Sequence, residues 1–156
     1  MSYDVRLLLL QPGEDPWVAA HSDDELDATL SPEAKIRIDR VFDALRTHDP
    51  DLEVVQNPAD GELSDVSGGT GIQIALFAAS GALSTPFWPE NSAPEVRSKV
   101  AEYLRVLSNS GGYVVFDPQT DQVLSAETGF AVSTVAFSAG ETMLKQATKR
   151  PWWKFW

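Results

Sequence analysis

Two amphipathic segments with clear helix signals constrain the fold most strongly. In the first, "SPEAKIRIDRVFDALRTH", Ser31 is a suitable N-cap, Pro32 takes the first helical position, and apolar residues recur at helical spacing. The second, "SAPEVRSKVAEYLRVLSNSGG", has the same periodicity and ends at Gly111-Gly112, which favours a left-handed stop. Because a helix with one apolar stripe needs a surface to cover, both helices are expected to pack on a sheet.

Strand-like sequence lies before and between these helices. "YDVRLLLL" predicts a first strand, and its second half is apolar on both faces, which suits a central position in the sheet. "LEVVQ" follows the first helix as a strand, and residues 58–71 form a loop by composition. Residues 72–79 and 82–88 then predict two short strands, or one strand broken by a bulge at Ser80-Gly81.

After the second helix, "GYVVFDPQTDQVLS" predicts a strand, a turn and a return strand. The order strand, helix, strand, strand, helix, strand is that of the ferredoxin-like (βαββαβ) fold, an antiparallel sheet with two helices on one face. The return strand makes an appended hairpin, and a C-terminal arm follows it. Within that arm, residues 126–141 fit either an edge strand or an irregular packed segment. We therefore expect an α+β fold of the ferredoxin-like type.

The charge of the chain is divided unevenly between its body and its end. The net charge is −11, yet residues 145–156 contain four basic side chains and no acidic one, which leaves 8 basic against 23 acidic side chains in residues 1–144. We expect a single acidic α+β domain over 1–144 and a basic aromatic tail over 145–156. The acidic body would repel a phosphate backbone, so nucleic-acid binding is not expected. A cationic protein partner or simple solubility would account for its charge.

The composition also bears on location and covalent chemistry. The longest aliphatic run, Leu7 to Leu10, is far shorter than the roughly 20 residues of a membrane-spanning helix, and the amino terminus does not resemble a secretory signal. A cytoplasmic protein is therefore expected. The chain has no cysteine, which excludes disulfides, thiolate nucleophiles and thiolate metal sites.

No pattern in the sequence indicates catalysis or a cofactor. The acidic stretch "HSDDELD" is explained by a capping box from Ser22 to Glu25 that begins a short helix, and the alternative of a metal site lacks converging ligands. The "SGGTG" stretch precedes a strand and has no lysine, unlike a phosphate-binding loop. His21 and His48, in turn-like or capping contexts, are expected to be structural. We expect no metal, no cofactor and no enzymatic activity.

One small-ligand site remains an alternative. Asp4 and Arg6 alternate with apolar residues on the first strand, so both project from the same face of the sheet. If that face is open, they could line a shallow site together with Tyr113. An ordinary cross-strand ion pair is the other interpretation of the two charges.

The tail "KRPWWKFW" is the strongest candidate for a contact with a partner. Its four aromatic side chains could contribute about 15–25 kcal/mol if they were fully buried, as an upper bound before ordering costs. Three destinations compete: a groove on the same domain, a neighbouring protein, or a membrane surface, where tryptophan and lysine are favoured. The candidate partner-binding residues are Lys149, Arg150, Trp152, Trp153, Lys154, Phe155 and Trp156.

These observations predict a small non-enzymatic module that binds another protein or associates with itself, of the immunity, adaptor or regulatory type. The first alternative is a small-ligand-binding protein or enzyme that uses the open sheet face. The second is peripheral attachment to a membrane surface through the tail.

Overall fold

The chain folds as an α+β protein around an antiparallel sheet. The computed structural model describes residues 2–22, 30–56, 61–65, 70–86 and 93–132. Its elements are β1 (Ser2–Leu8), α1 (Pro16–Ala20), α2 (Pro32–His48), β2 (Leu52–Gln56), β3 (Gly61–Asp65), β4 (Gln73–Leu76), β5 (Ser80–Pro86), α3 (Ala93–Gly111), β6 (Val114–Asp117) and β7 (Gln122–Leu124). No helix within these ranges is long and apolar enough to span a lipid bilayer.

The strands of the described residues lie in the order β2-β3-β4-β5-β1-β6-β7, and each neighbouring pair is antiparallel. β1 occupies a central position between β5 and β6. In its register, Arg6 lies opposite Ala82 on one side and Phe116 on the other. The central position predicted for the first strand is confirmed.

The predicted βαββαβ order is wrong, because four strands, not two, lie between the two long helices. The additional strand β3 lies within residues 58–71, which were predicted as a loop from their glycine and polar content. β3 pairs with both β2 and β4 through its backbone, and backbone pairing does not require an apolar side-chain pattern. β4 and β5 form a hairpin whose turn runs from Phe77 to Ser80, not through the predicted Ser80-Gly81.

Helices α2 and α3 cover one face of the sheet. The Ser31 hydroxyl accepts a hydrogen bond from the Ala34 amide at 3.1 Å, which confirms the predicted N-cap. On β1, Tyr3, Val5 and Leu7 are buried against the helices. The side chains that alternate with them, Asp4 and Arg6, therefore point to the opposite face, which we call the open face.

The short helix α1 packs on one end of the open face, and it was not predicted. Asp15 begins it by accepting hydrogen bonds from the amides of Trp17 and Val18, at 2.7 and 3.4 Å. Ala20 then packs against Leu8 and Phe116 in a second, smaller apolar cluster. Most of the helix predicted to begin at Ser22 falls in residues 23–29, outside the described residues.

The segment after β7 is irregular in its described part. Residues 126–130 form turns, and Phe130 and Val132 enter the main core. Up to Val132, the structure therefore has the packed irregular arm rather than the edge strand. Residues 133–156, which include the basic aromatic tail, lie outside the described residues.

A polar network joins the end of α2 to α3. The Asp49 carboxylate accepts hydrogen bonds from the Tyr103 hydroxyl at 2.6 Å and lies 3.1 Å from the Lys99 ammonium. Partial burial of the carboxylate opposes its ionisation, but the hydrogen bonds from Tyr103 and Lys99 outweigh this effect and hold the pKa of Asp49 below its ordinary value. The network therefore stabilises the packing of the two helices while Asp49 is ionised.

We expect the substitution Asp49→Asn to lower the free energy of unfolding by about 1–2 kcal/mol at neutral pH, because it removes charge-assisted bonds. The folded-state pKa of Asp49 lies below its unfolded-state value, so its contribution is present above the unfolded value and is lost as the pH falls through the folded value. Urea unfolding of both proteins should therefore show a difference that shrinks in acid. The exposed Asp51→Asn is the matched control. A difference that persists unchanged in acid would contradict this account.

Candidate functional site

A cleft of about 500 Å³ opens on the open face between α1 and the strands. Its floor is formed by β1 and β5, including Asp4, Arg6 and Ala82, while Ala19 of α1 and Gln119 of the turn between β6 and β7 lie at its sides. It exists because α1 covers only one end of the open face and because the adjacent strand presents small side chains there. Those side chains are Ser80, Ala82 and Ser84 of β5.

Asp4 is held in place by two hydroxyl groups. Ser2 Oγ donates to Asp4 Oδ2 at 2.9 Å, and the hydroxyl of Ser84, directly opposite on β5, donates to Asp4 Oδ1. One donor lies on the same strand and the other on the neighbouring strand β5. Among the described residues no cation lies within ion-pair distance of it.

Arg6 is exposed, and its two cross-strand neighbours, Ala82 and Phe116, offer no acceptor side chain. Within the described parts of the chain its guanidinium group makes no hydrogen bond and no ion pair. Among the described residues, the two charges of β1 therefore form no ion pair with each other or with a charged cross-strand neighbour, unlike the ordinary cross-strand ion pair that was the alternative interpretation. A guanidinium group in this position can bind a carboxylate or phosphate from outside.

Tyr113 does not lie with Asp4 and Arg6. Its side chain is 1% exposed and belongs to the main core on the helix-covered side of the sheet. Burial raises the pKa of Tyr113, and the nearby guanidinium group of Arg37 opposes this rise only in part. The structure thus brings together two of the three residues predicted for a small-ligand face.

An aromatic stack on α1 was missed from the sequence. Trp17 is 51% exposed and stacks on His21, with ring centroids 4.4 Å apart. His21 donates from Nδ1 to the Trp17 carbonyl at 2.7 Å and meets Phe116 edge to face, at 6.1 Å between centroids. Val123, 44% exposed, lies opposite Phe116 on the neighbouring strand. The sequence signal that could have indicated this short helix is "DPW", in which an N-cap residue is followed by a proline in the first turn.

His48 lies away from this face, in the last turn of α2. Its Nε2 atom is 3.2 Å from Glu102 of α3, and its ring meets Tyr103 edge to face. These contacts connect the same two helices as the Asp49 network does.

Neither a metal site nor the tail can be placed within this structure. The described residues contain no group of three or more histidine, aspartate or glutamate side chains that could hold a metal ion. The predicted partner-binding residues of the tail, 149–156, lie outside those ranges. The role of the open face has to be inferred from its own residues, because no protein-family model, curated protein or solved structure matches this chain.

Proposed function

We propose that this chain is a small cytoplasmic protein-binding module of the immunity, adaptor or regulatory type, and that its contact surface is the open face with α1. The observation that carries the proposal is the position of Trp17, half exposed and stacked, on the same face as Arg6, which has no ion pair among the described residues. Tryptophan and arginine are the residue types that most often dominate binding energy at protein interfaces.

The local structure favours Trp17 as an interface anchor. Its ring rests on His21, and its backbone is fixed by the Asp15 cap and the Trp17 carbonyl bond to His21. Ordering a side chain on binding costs about 0.5–1.5 kcal/mol, and a ring that is already held loses less. The surface is therefore partly organised before a partner arrives.

The charges of the open face do not indicate whether the partner is acidic or basic, because both signs are present. Asp4 and Arg6 offer a carboxylate and a guanidinium group two positions apart on β1, and both line the cleft. The net charge of −11 can be explained by solubility alone. The partner is thus another protein, or a second copy, that presents charges of both signs.

The basic aromatic tail is a second proposed contact region. Lys149, Arg150, Trp152, Trp153, Lys154, Phe155 and Trp156 combine cations with large apolar rings, which suits a protein interface. The tail and the open face are separable in an experiment, because residues 150–156 can be deleted without changing any described residue.

A random-peptide display selection on the full chain tests the proposal. We expect selected peptides to bind Trp17→Ala and Arg6→Ala at least about tenfold more weakly, while Ile36→Ala, which removes a side chain 68% exposed on α2, binds them unchanged. A chain lacking residues 150–156 reports which peptides need the tail. The proposal fails for the open face if no peptide is selected, or if the Trp17 and Ile36 variants bind equally well.

A small-ligand-binding protein or enzyme is the second candidate, because the volume of the cleft lies within the range of small-molecule sites. This candidate predicts that a carboxylate fragment shifts the NMR signals of Arg6, Ser84 and Gln119 together in a titration. Signals that move only at Trp17 and Val123, or not at all, would contradict it.

A further inference from the structure

The floor of the cleft changes from charged to apolar along β1. Asp4, Arg6 and Leu8 alternate with core residues, so their side chains follow one another along the open face in that order. The Leu8 end is bounded by Ala19 of α1 and by Phe77, whose amide bonds to Ser80 opposite Leu8. One part of the cleft therefore carries two opposite charges, and the part beside α1 presents three apolar side chains.

The two charges are available to a ligand. Arg6 is exposed, and its Cα position lies about 6–7 Å from that of Asp4 along the strand. Within the ranges that the structure describes, neither residue is in an ion pair. The Asp4 carboxylate accepts bonds from the hydroxyls of Ser2 and Ser84. A carboxylate has about four acceptor positions, so Asp4 retains capacity for an ammonium group.

The combination of these charges restricts the class of ligand. A phosphate or a dicarboxylate would be attracted by Arg6 but repelled by Asp4 on the same floor, and a metal ion or a polyamine would meet the reverse situation. A simple carboxylate would pair with Arg6 and leave Asp4 uncompensated once the ligand excludes water. A molecule that carries one carboxylate and one ammonium group close together compensates both charges.

We propose that the cleft binds a free α-amino acid with an apolar side chain. Arg6 binds its carboxylate, Asp4 binds its ammonium group, and the ligand side chain lies toward Leu8 and Phe77. The inference rests on the second candidate function given above, for which it names the ligand class. It does not depend on the protein contact proposed for Trp17, because Trp17 is not part of the cleft lining.

The chemistry of each contact fits this ligand class. The guanidinium group of Arg6 has the planar arrangement of donors that binds a carboxylate through two parallel hydrogen bonds. In an α-amino acid the ammonium group and the side chain are attached to the carbon that bears the carboxylate, so all three groups reach neighbouring parts of one small cleft. Ala82, opposite Arg6 on β5, is short and leaves the space above it open. Burial of an apolar side chain beside Leu8 adds affinity.

Isothermal titration calorimetry of the full chain with L-leucine and L-phenylalanine, together with an NMR titration of backbone amides, tests the inference. We expect binding at one site and shifted signals at Arg6, Ala82 and Gln119. Three analogues of L-leucine each lack one required group: isocaproate lacks the ammonium group, isoamylamine lacks the carboxylate, and glycine lacks the apolar side chain. Each should bind at least about tenfold more weakly, because it loses a charged hydrogen bond or the burial of the side chain.

Substitutions change the same contacts from the side of the protein. Arg6→Ala and Asp4→Asn should each weaken L-leucine binding at least about tenfold, and Ala82→Leu should abolish it by filling the cleft. In Asp4→Asn the preference for L-leucine over isocaproate should also disappear, which a merely structural role of Asp4 would not cause. Arg105→Ala, which removes an exposed guanidinium group from α3, is the matched control and should leave binding unchanged.

Far-ultraviolet circular dichroism checks the fold of every variant. Arg6→Ala alone remains decisive if another variant fails to fold, because Arg6 makes no bond to any other described residue. Absence of binding by both amino acids at millimolar concentration overturns the inference, as does unchanged binding by Arg6→Ala. If isocaproate binds wild type as tightly as L-leucine does, the amino-acid class is wrong and the small-ligand candidate stands. If none of these compounds binds while selected peptides still require Trp17 and Arg6, the inference is wrong and the protein-binding proposal stands.

Discussion

Replacing Asp117 with alanine is expected to lower the free energy of unfolding by about 2–4 kcal/mol. The Asp117 side chain is fully buried and accepts hydrogen bonds from the Tyr3 hydroxyl, from Thr120 Oγ1 at 2.8 Å and from the Gln119 amide at 2.9 Å. Its removal takes away the buried carboxylate to which the Tyr3 hydroxyl donates. It also releases the turn that places Gln119 at the cleft, so the open face should become less ordered.

Urea unfolding of four proteins measures this effect: wild type, Asp117→Ala, Tyr3→Phe and the double variant. Tyr3→Phe keeps the ring in the core and removes only the hydroxyl, so it should cost about 1–2 kcal/mol. Because the two groups share a hydrogen bond, the double variant should cost less than the sum of the single variants. Gln122→Ala, at an exposed position of β7, is the neutral control. If the effects of the two single substitutions simply add in the double variant, the side chains of Tyr3 and Asp117 are not energetically coupled, and the prediction is contradicted.

The long helices could be predicted because their signals are local. Ser31 and Pro32 fix the start of α2 within a few residues, and the apolar stripes of both helices face the core as their periodicity indicates. The alternation along β1 likewise predicted that Asp4 and Arg6 share a face away from the helices.

The sheet order could not be predicted, because it depends on pairing between distant segments. β3 has a polar, glycine-containing sequence, and its place between β2 and β4 is set by backbone hydrogen bonds. Once β3 is counted, four strands separate the two long helices and the ferredoxin-like order no longer applies. Composition marks a turn more reliably than it excludes a short strand.

The candidate site was predicted in part, for similar reasons. Tyr113 directly precedes β6, and only the packing of its ring under the end of α3 shows that it faces the core. Trp17 was missed because α1 is only five residues long, too short to show an apolar periodicity. The alternation along a strand shows which polar residues share a face. It does not show which aromatic residue lies beside them, because that depends on where α1 packs.

The substitution Gly111→Ala is expected to lower the free energy of unfolding by about 2–3 kcal/mol, because it overpacks the core. A Cβ atom at this position would lie 2.5 Å from Tyr113 Cδ2 and 2.9 Å from Val41 Cγ2, well inside normal contact distances. The Tyr113 ring is fully enclosed and cannot move aside without disturbing α2 or β6. Thermal and urea unfolding, with near-ultraviolet circular dichroism to follow the tyrosine environment, measure the change.

Gly112→Asn is the matched control for Gly111→Ala. Gly112 has the positive φ of 72° and open space where a Cβ would lie, and asparagine tolerates this conformation better than most residues do. We expect it to cost well under about 1 kcal/mol. The sequence pattern assigned one role, the helix stop, to both glycines, but the structure divides the roles: Gly112 turns the backbone, and Gly111 makes room for Tyr113. Equal effects of the two substitutions would contradict this division, since strain in the turn alone would then account for both.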